Sequence, residues 1–120
     1  MPKLLDLASS NADATPSFVT TSGMLAKDPF PAMFSLAACK AGQLNLAHSL
    51  HKEFEPQGVH CPLIIVGGAV KDESAVTNAR NIAEETWKVF KQPKHEGKFE
   101  TVLLDPAYLD HVKNRERRSA

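Results

Sequence analysis

The chain has 120 residues, 42% of them hydrophobic and 23% charged, and its formal net charge is +0 because 14 basic residues offset 14 acidic ones. This length and composition predict one small globular domain. The balanced charge argues against a nucleic-acid partner, which needs a basic surface, and no apolar run approaches the ~20 residues of a membrane span. The opening residues MPKLLDLASS do not form a signal peptide, because Asp6 interrupts a short apolar run. We therefore expect a cytoplasmic protein without a membrane or nucleic-acid partner.

The two cysteines, Cys39 and Cys61, do not make a disulfide framework. Cys39 lies among small helical residues and Cys61 lies in an apolar run, so both are predicted to be reduced core residues. A nucleophilic role for Cys39 is not favoured, since no base is placed beside it.

The first part of the chain predicts a short helix, a loop and a strand. Residues 2–9 have an apolar stripe behind Pro2, which suits a first helical turn. A polar loop follows at 9–16. Residues 17–22, SFVTTS, are rich in β-branched and aromatic side chains and predict a strand, followed by a loop at 23–31.

The longest helical pattern covers about 31–55, and its centre is unusual. Pro31 is tolerated in a first turn, and Pro-Gln-Gly at 56–58 ends the pattern. Lys40 is the one charged residue within a run of small ones: Ala37, Ala38, Cys39, Ala41 and Gly42. Small side chains let a helix lie close to a sheet or another helix. A lysine in such a surface is costly unless it has a partner or a function.

Residues 59–66, VHCPLIIV, predict the most deeply buried strand. The run is apolar almost throughout, as in a strand covered on both faces of a parallel sheet. Pro62 weakens the prediction, since proline lacks a ladder donor. Gly67-Gly68 ends the strand, and 71–77 predicts a polar loop.

The last part of the chain predicts a helix, a strand and a tail. Residues 78–91 are amphipathic, and Trp87 and Phe90 are predicted to pack in the core. Residues 98–104 predict a third strand. Residues 106–120 predict a polar, flexible tail. Because strands alternate with helices, the fold class is α/β with right-handed βαβ units on a parallel sheet.

In this order and at these spacings, the motifs resemble the C-terminal half of a short-chain dehydrogenase/reductase, over residues 2–105. FVTTSG at 18–23 is similar to the strand that ends at the family's catalytic serine. LAACK at 36–40 is similar to the family's Y-x-x-x-K motif, and VGGAV at 66–70 to the loop that touches the cofactor. The family's neighbouring elements match FEPQGV at 54–59, NIAEETW at 81–87 and the strand at 99–104. The sequence is closest to divergent fungal members.

The resemblance implies a fold and a chemistry. It implies a partial Rossmann-type, doubly wound parallel sheet of about three strands with two main helices, formed by residues 1–105. It also implies an oxidoreductase related to enzymes that use NAD(P) on carbonyl or alcohol groups of small metabolites. The cofactor would lie against Lys40, Gly67, Gly68 and Val70.

The chain departs from the family pattern at positions that carry catalysis and cofactor binding in the family. Leu36 stands at the tyrosine position, and leucine cannot exchange a proton. Gly23 stands at the serine position. A one-residue shift would let the neighbouring Ser22 take the catalytic role, although its side chain should point to the other face of the strand. Lys40 is all that remains of the catalytic set, and Tyr108 lies in the tail. The Gly-rich turn that binds a dinucleotide pyrophosphate has no counterpart. We therefore expect a truncated relative that is inactive alone.

Two alternatives remain open. The chain is an interaction module that pairs with itself or with an intact relative through the helices at 31–55 and 78–91, or it is a non-redox metabolite enzyme, such as an isomerase or cyclase, that uses Lys40. Lys40 is also explained by a stem that packs on the helix while its charge reaches solvent.

Two further clusters are interpreted without a ligand. His48 and His51 lie three residues apart on one helix face, and His60 lies in the next predicted strand. The sequence places no third ligand beside the helix pair, and this half of the helix is a solvated face, so no metal site is predicted. The basic residues of the tail are interpreted as solvated: Lys113, Arg115, Arg117 and Arg118.

Overall fold

A computed structural model of the protein describes residues 1–119. In chain order, its helices and strands are α1 (Pro2–Ser10), β1 (Thr20–Gly23), α2 (Phe34–Phe54), β2 (Leu63–Gly67), α3 (Ala79–Phe90), β3 (Glu100–Leu104) and α4 (Pro106–Ser119). Short 3-10 turns lie at Met24–Ala26, Pro31–Met33 and Glu55–Gln57. None of the helices in the described part of the chain is long and apolar enough to cross a membrane.

The three strands form one parallel sheet in the order β1-β2-β3. β2 is central because its sequence LIIVG is apolar on both faces, and Leu63, Ile64 and Ile65 are fully buried. The strand starts at Leu63 rather than at residue 59. Pro62 just before it needs no ladder donor there, and its carbonyl accepts the Thr20 N–H at 3.0 Å. The predicted α/β class with a three-stranded parallel sheet is confirmed.

Helices cover both faces of the sheet. Leu63 and Ile65 form one core cluster with Ala47 of α2. The alternate residue Ile64 packs on the other face, with Val89 of α3 and Leu103 of β3. This division follows from the two-residue period of a strand, which sends neighbouring side chains to opposite faces.

The short helix α1 is stabilised by tertiary contacts, because an isolated helix of this length is not stable in water. Ala8 packs with Val59 and Cys61 at the start of the β2 segment. At the end of α1, Lys94 Nζ donates to the Ala8 carbonyl at 2.7 Å. The first helix therefore packs on the segment before β2 and on the end of α2, in a core cluster separate from those of the sheet.

Three predictions about single segments were wrong. Cys39 is exposed, because its side chain lies away from the buried positions of α2, which are Ala37 and Ala47. Trp87 and Phe90 are also exposed and stack on each other with ring centroids 5.1 Å apart. They lie on the outer side of α3, because Val89 and Ile82 occupy the side that faces the sheet.

The third error concerns the tail, which forms α4 over 106–119 instead of a flexible segment. Pro106 occupies a first helical position, where its missing N–H has no cost. Side-chain contacts to Asp28, described below, then fix the helix to the body of the protein.

At the amino edge of the sheet, the carboxylate of Glu55 at the end of α2 connects three segments of the chain. Its Oε2 lies 2.9 Å from Nδ1 of the buried His60, and its Oε1 accepts the Gly97 N–H at 3.0 Å. The loop before β3, the segment before β2 and α2 therefore meet at Glu55. Gly97 is required at this point, because a Cβ there would overlap the His60 ring.

We expect Gly97→Ala to destabilise the protein by about 1–3 kcal/mol, the usual cost of forcing an extra carbon into a packed site. Gly42→Ala is the matched control, since a Cβ at Gly42 meets nothing within 4 Å. In the interior of α2 it should stabilise by about 0.5–1 kcal/mol. Urea unfolding followed by circular dichroism measures both. Equal effects of the two variants would contradict the role assigned to the Glu55 junction.

Candidate functional site

A cavity of about 710 Å³ opens at the carboxyl edge of the sheet, where the three parallel strands end. Ligands of open parallel sheets bind at this edge, and the volume lies within the range of small-molecule sites. The lining residues come from the turns after β1 and β2 and from α4: Met24, Leu25, Asp28, Phe30, Met33, Gly68, Ala69, Tyr108, His111 and Arg115.

The ends of β2 and β3 shape one wall of this cavity. Gly68 has φ 132°, a backbone conformation that L side chains rarely adopt, and a Cβ there would meet the Cβ of Asp105. Asp105 in turn begins α4, since its side chain accepts the Ala107 N–H at 3.2 Å. Its backbone N–H donates to the Gly67 carbonyl at 2.8 Å. The glycine pair thus lets α4 start close beside the end of β2.

The face of α4 towards the cavity carries Tyr108, His111 and Arg115. Their spacing of three and four residues places them on one side of the helix. All of the side-chain hydrogen bonds from this face go to Asp28. The Tyr108 hydroxyl donates to Asp28 Oδ2 at 2.9 Å, and Arg115 Nη2 donates to Oδ1 and Oδ2 at 2.9 and 2.7 Å.

These contacts change the acidity of the three groups. The Arg115 guanidinium holds the pKa of the Asp28 carboxyl below its ordinary value. Burial, and then the bond to Asp28, raise the pKa of Tyr108. The bond to Asp28 raises the pKa of Arg115. Asp28 is therefore ionised and Tyr108 is protonated at neutral pH, so the cluster is fixed in a single charge state.

The structure places Lys40 outside this cavity. Its half-buried side chain donates from Nζ to Oε1 of Gln43 at 3.3 Å, and it has no carboxylate partner within residues 1–119. Leu36, one turn earlier on α2, is 43% exposed. The small residues of α2 border a separate space of about 320 Å³ beside the turn after β1, and Lys40 does not line that space either.

Ser22 and Gly23 fall on opposite faces of β1, as their adjacent positions require. Ser22 pairs with Ile65, whose side chain faces α2, and its buried Oγ has no hydrogen-bond partner among the described residues. Gly23 pairs with Val66 at the end of the strand. Of the residues predicted to hold a cofactor, Gly68 lines the cavity, whereas Val70 is exposed beyond it.

His48 and His51 pack against one aromatic ring. His48 stacks on Phe99 with ring centroids 4.6 Å apart, and His51 lies 5.3 Å from the same ring. Burial lowers the pKa of His51. Residues 1–119 contain no group of three His, Cys, Asp or Glu side chains placed to hold a metal ion. Burial also raises the pKa of the Cys61 thiol to about 11, so it remains protonated and unreactive.

Sequence reasoning missed the residues that give the cavity its chemistry. Asp28 lies in the predicted loop at 23–31, and Arg115 belongs to the basic residues interpreted as solvated. The available signal was the spacing of Tyr108, His111 and Arg115, which predicts one face of a helix in the segment interpreted as a tail. Nothing in the sequence indicates that this face meets Asp28, which lies 80 residues before Tyr108.

No protein-family model matches this chain, and no curated protein matches it. A crystal structure of a short-chain dehydrogenase from Rhodopseudomonas palustris has a similar fold, with a TM-score of 0.60 and 21% sequence identity. The match covers 76% of this chain and 39% of that chain, so this chain spans about two-fifths of the length of the dehydrogenase. At this identity the similarity shows a short-chain-dehydrogenase-like fold.

We expect acid to release α4 from the body of the protein. The bond from Arg115 lowers the folded-state pKa of Asp28 below the ordinary value of an aspartate. Ionised Asp28 therefore contributes stability above that ordinary value, and this stability is lost as the pH falls through the folded-state pKa. The backbone NMR signals of 106–119 should therefore shift towards random-coil positions in this acid range. Asp28→Asn should shift them already at neutral pH, whereas Asp110→Asn, on the same helix, should not. Identical titrations of all three proteins would contradict the role of Asp28.

Proposed function

We propose that this chain is a short-chain dehydrogenase/reductase-like protein that does not transfer hydride by itself. Reduction of a carbonyl group by a nicotinamide requires a side chain that gives a proton to the substrate oxygen. Leu36 stands where the family has its tyrosine, and Gly23 stands where it has its serine. The observation that carries the proposal is that Leu36 has no proton to exchange, while the hydroxyl-bearing neighbour of Gly23, Ser22, lies beside Ile65 on the face of the sheet that α2 covers.

Tyr108, the one tyrosine in the sequence, does not supply the missing acid. A catalytic tyrosine needs a pKa that is lowered towards neutrality, and a nearby lysine lowers it in the family. Here burial and Asp28 raise the pKa of Tyr108, and its hydroxyl proton is already donated to a carboxylate. Its environment therefore raises the pKa of Tyr108, whereas proton transfer at neutral pH requires a lowered one.

The residues present also fit a dinucleotide poorly. Lys40, the expected ribose ligand, donates to Gln43 and does not line the cavity beside Gly68. Gly67 is closed in by the side chains of Leu104 and Met24. We therefore derive no catalytic step through NAD(P). The same placement of Lys40 gives no support to an isomerase or cyclase that would use it.

Self-association is a second candidate function, favoured by the exposed apolar surface of α2. Phe34 is 74% exposed and Leu46 is 60% exposed. Trp87, on α3, is 56% exposed. Because α2 and α3 cover opposite faces of the sheet, they would serve separate contacts. Two edge strands with unpaired backbone groups add to the tendency to associate.

The proposal that the chain does not transfer hydride predicts no saturable binding of NADPH or NADP⁺ in isothermal titration calorimetry. Lys40→Ala should give the same flat titration, because Lys40 has a protein partner in Gln43. Saturable NADPH binding that Lys40→Ala abolishes would overturn the proposal, since it would identify Lys40 as a cofactor ligand.

The self-association proposal predicts a concentration-dependent dimer in analytical ultracentrifugation. Phe34→Ser and Leu46→Ser should each raise its dissociation constant by about tenfold, the effect of losing one buried apolar anchor. Leu7→Ser is the control, since Leu7 is an exposed apolar residue that belongs to α1 rather than to α2. A monomer at all concentrations, or equal effects of Leu7→Ser and Leu46→Ser, would contradict the assignment of the interface to α2.

A further inference from the structure

The cavity at the carboxyl edge has two chemically different walls. One is apolar and comes from the turns after β1 and β2: Met24, Leu25, Phe30, Met33 and Ala69. The other is the face of α4 that carries Tyr108, His111 and Arg115. A site with an apolar body and a few polar groups at one end is the usual form of a small-molecule pocket.

The polar wall has hydrogen-bond donors to spare and little acceptor capacity. Asp28, which is the one carboxylate in the lining, already accepts bonds from Tyr108 and Arg115. Arg115 uses only Nη2 for this pair. Its Nε and Nη1 groups have no hydrogen-bond partner within residues 1–119, and His111 lies one turn away on the same face. A ligand at this wall would therefore bind through its own hydrogen-bond acceptor atoms.

The geometry points to a binding site for a small carboxylic acid with an apolar body. Its carboxylate binds the free N–H groups of Arg115 and the ring of His111, and its apolar part lies against the methionines and Phe30. Arginine binds carboxylates through planar, paired donors, and its pairing with Asp28 already fixes the guanidinium plane. Asp28 opposes a second negative charge nearby, which favours a monoanion over a dianionic phosphate.

This site is independent of hydride transfer, since neither Leu36 nor Lys40 lines it. Its occupant would contact both α4 and the turns after β1 and β2, so binding would add to the Asp28 contacts that hold α4 in place. α4 has no buried side chain of its own over Pro106–Ser119. A bound acid should therefore protect α4 more than it protects the rest of the chain.

Three probes test the carboxylate contact and the apolar contact separately: naphthylacetate, its neutral amide naphthylacetamide, and acetate. Calorimetry on the full chain should show naphthylacetate binding at least about tenfold tighter than naphthylacetamide, the effect of one charge-assisted pair. Acetate, which lacks the apolar body, should not bind in the same concentration range. Equal affinities for naphthylacetate and its amide, or no binding of naphthylacetate, would overturn the proposal.

Variants then locate the site. Ala69→Phe fills the cavity from the loop after β2 and should abolish binding of both naphthyl probes. His111→Gln leaves the Asp28 contacts intact and should weaken naphthylacetate several-fold while leaving the amide unchanged. Arg115→Gln should remove the preference for the acid entirely. Arg117→Gln, on the same helix but outside the lining, is the control and should bind like the native chain.

Two results with these variants would overturn the proposal even if naphthylacetate binds. Unchanged affinity in Ala69→Phe would place the probe elsewhere on the protein. An unchanged ratio of acid to amide affinity in both His111→Gln and Arg115→Gln would show that α4 does not recognise the carboxylate. Because the hydrogen bonds to Asp28 come from Tyr108 and Arg115, His111→Gln keeps them, and its result does not depend on whether Arg115→Gln keeps α4 docked.

Discussion

The burial of β2 between two helices is the constraint on which the rest of this structure depends. Leu63, Ile64 and Ile65 have no exposed surface, and each contributes roughly 2 kcal/mol of transfer free energy. Alternation along the strand assigns Leu63 and Ile65 to α2 and Ile64 to α3, so the order of the layers follows from the central strand. A domain of this size has a net stability of about 5–15 kcal/mol, so these side chains are a large part of what holds it together.

The end of β2 also determines where chemistry is possible. Gly68 lets the backbone turn sharply beside Asp105, and α4 begins there. The helix then reaches Asp28 after the first strand and forms the polar wall of the cavity. A feature of the fold, the shared carboxyl edge of parallel strands, thus brings together side chains from three distant parts of the chain.

The fold and the proposed lack of hydride transfer have different kinds of support. The three-stranded parallel sheet and the similarity to a solved dehydrogenase agree on the fold. The proposed lack of hydride transfer depends instead on particular side chains. Leu36 cannot exchange a proton, Lys40 is bonded to Gln43, and the pKa of Tyr108 is raised rather than lowered.

The sequence by itself determined the elements, because their signals are local: the apolar run at 63–67, the small-residue helix around Lys40 and the glycine pair that ends β2. It did not determine which face of α3 is buried or that 106–119 is a helix, since both depend on what lies opposite. Only the tertiary structure placed Arg115 and Tyr108 on Asp28. Contacts between residues so far apart in the chain leave no periodicity to detect, because they are made by docking rather than by local backbone geometry.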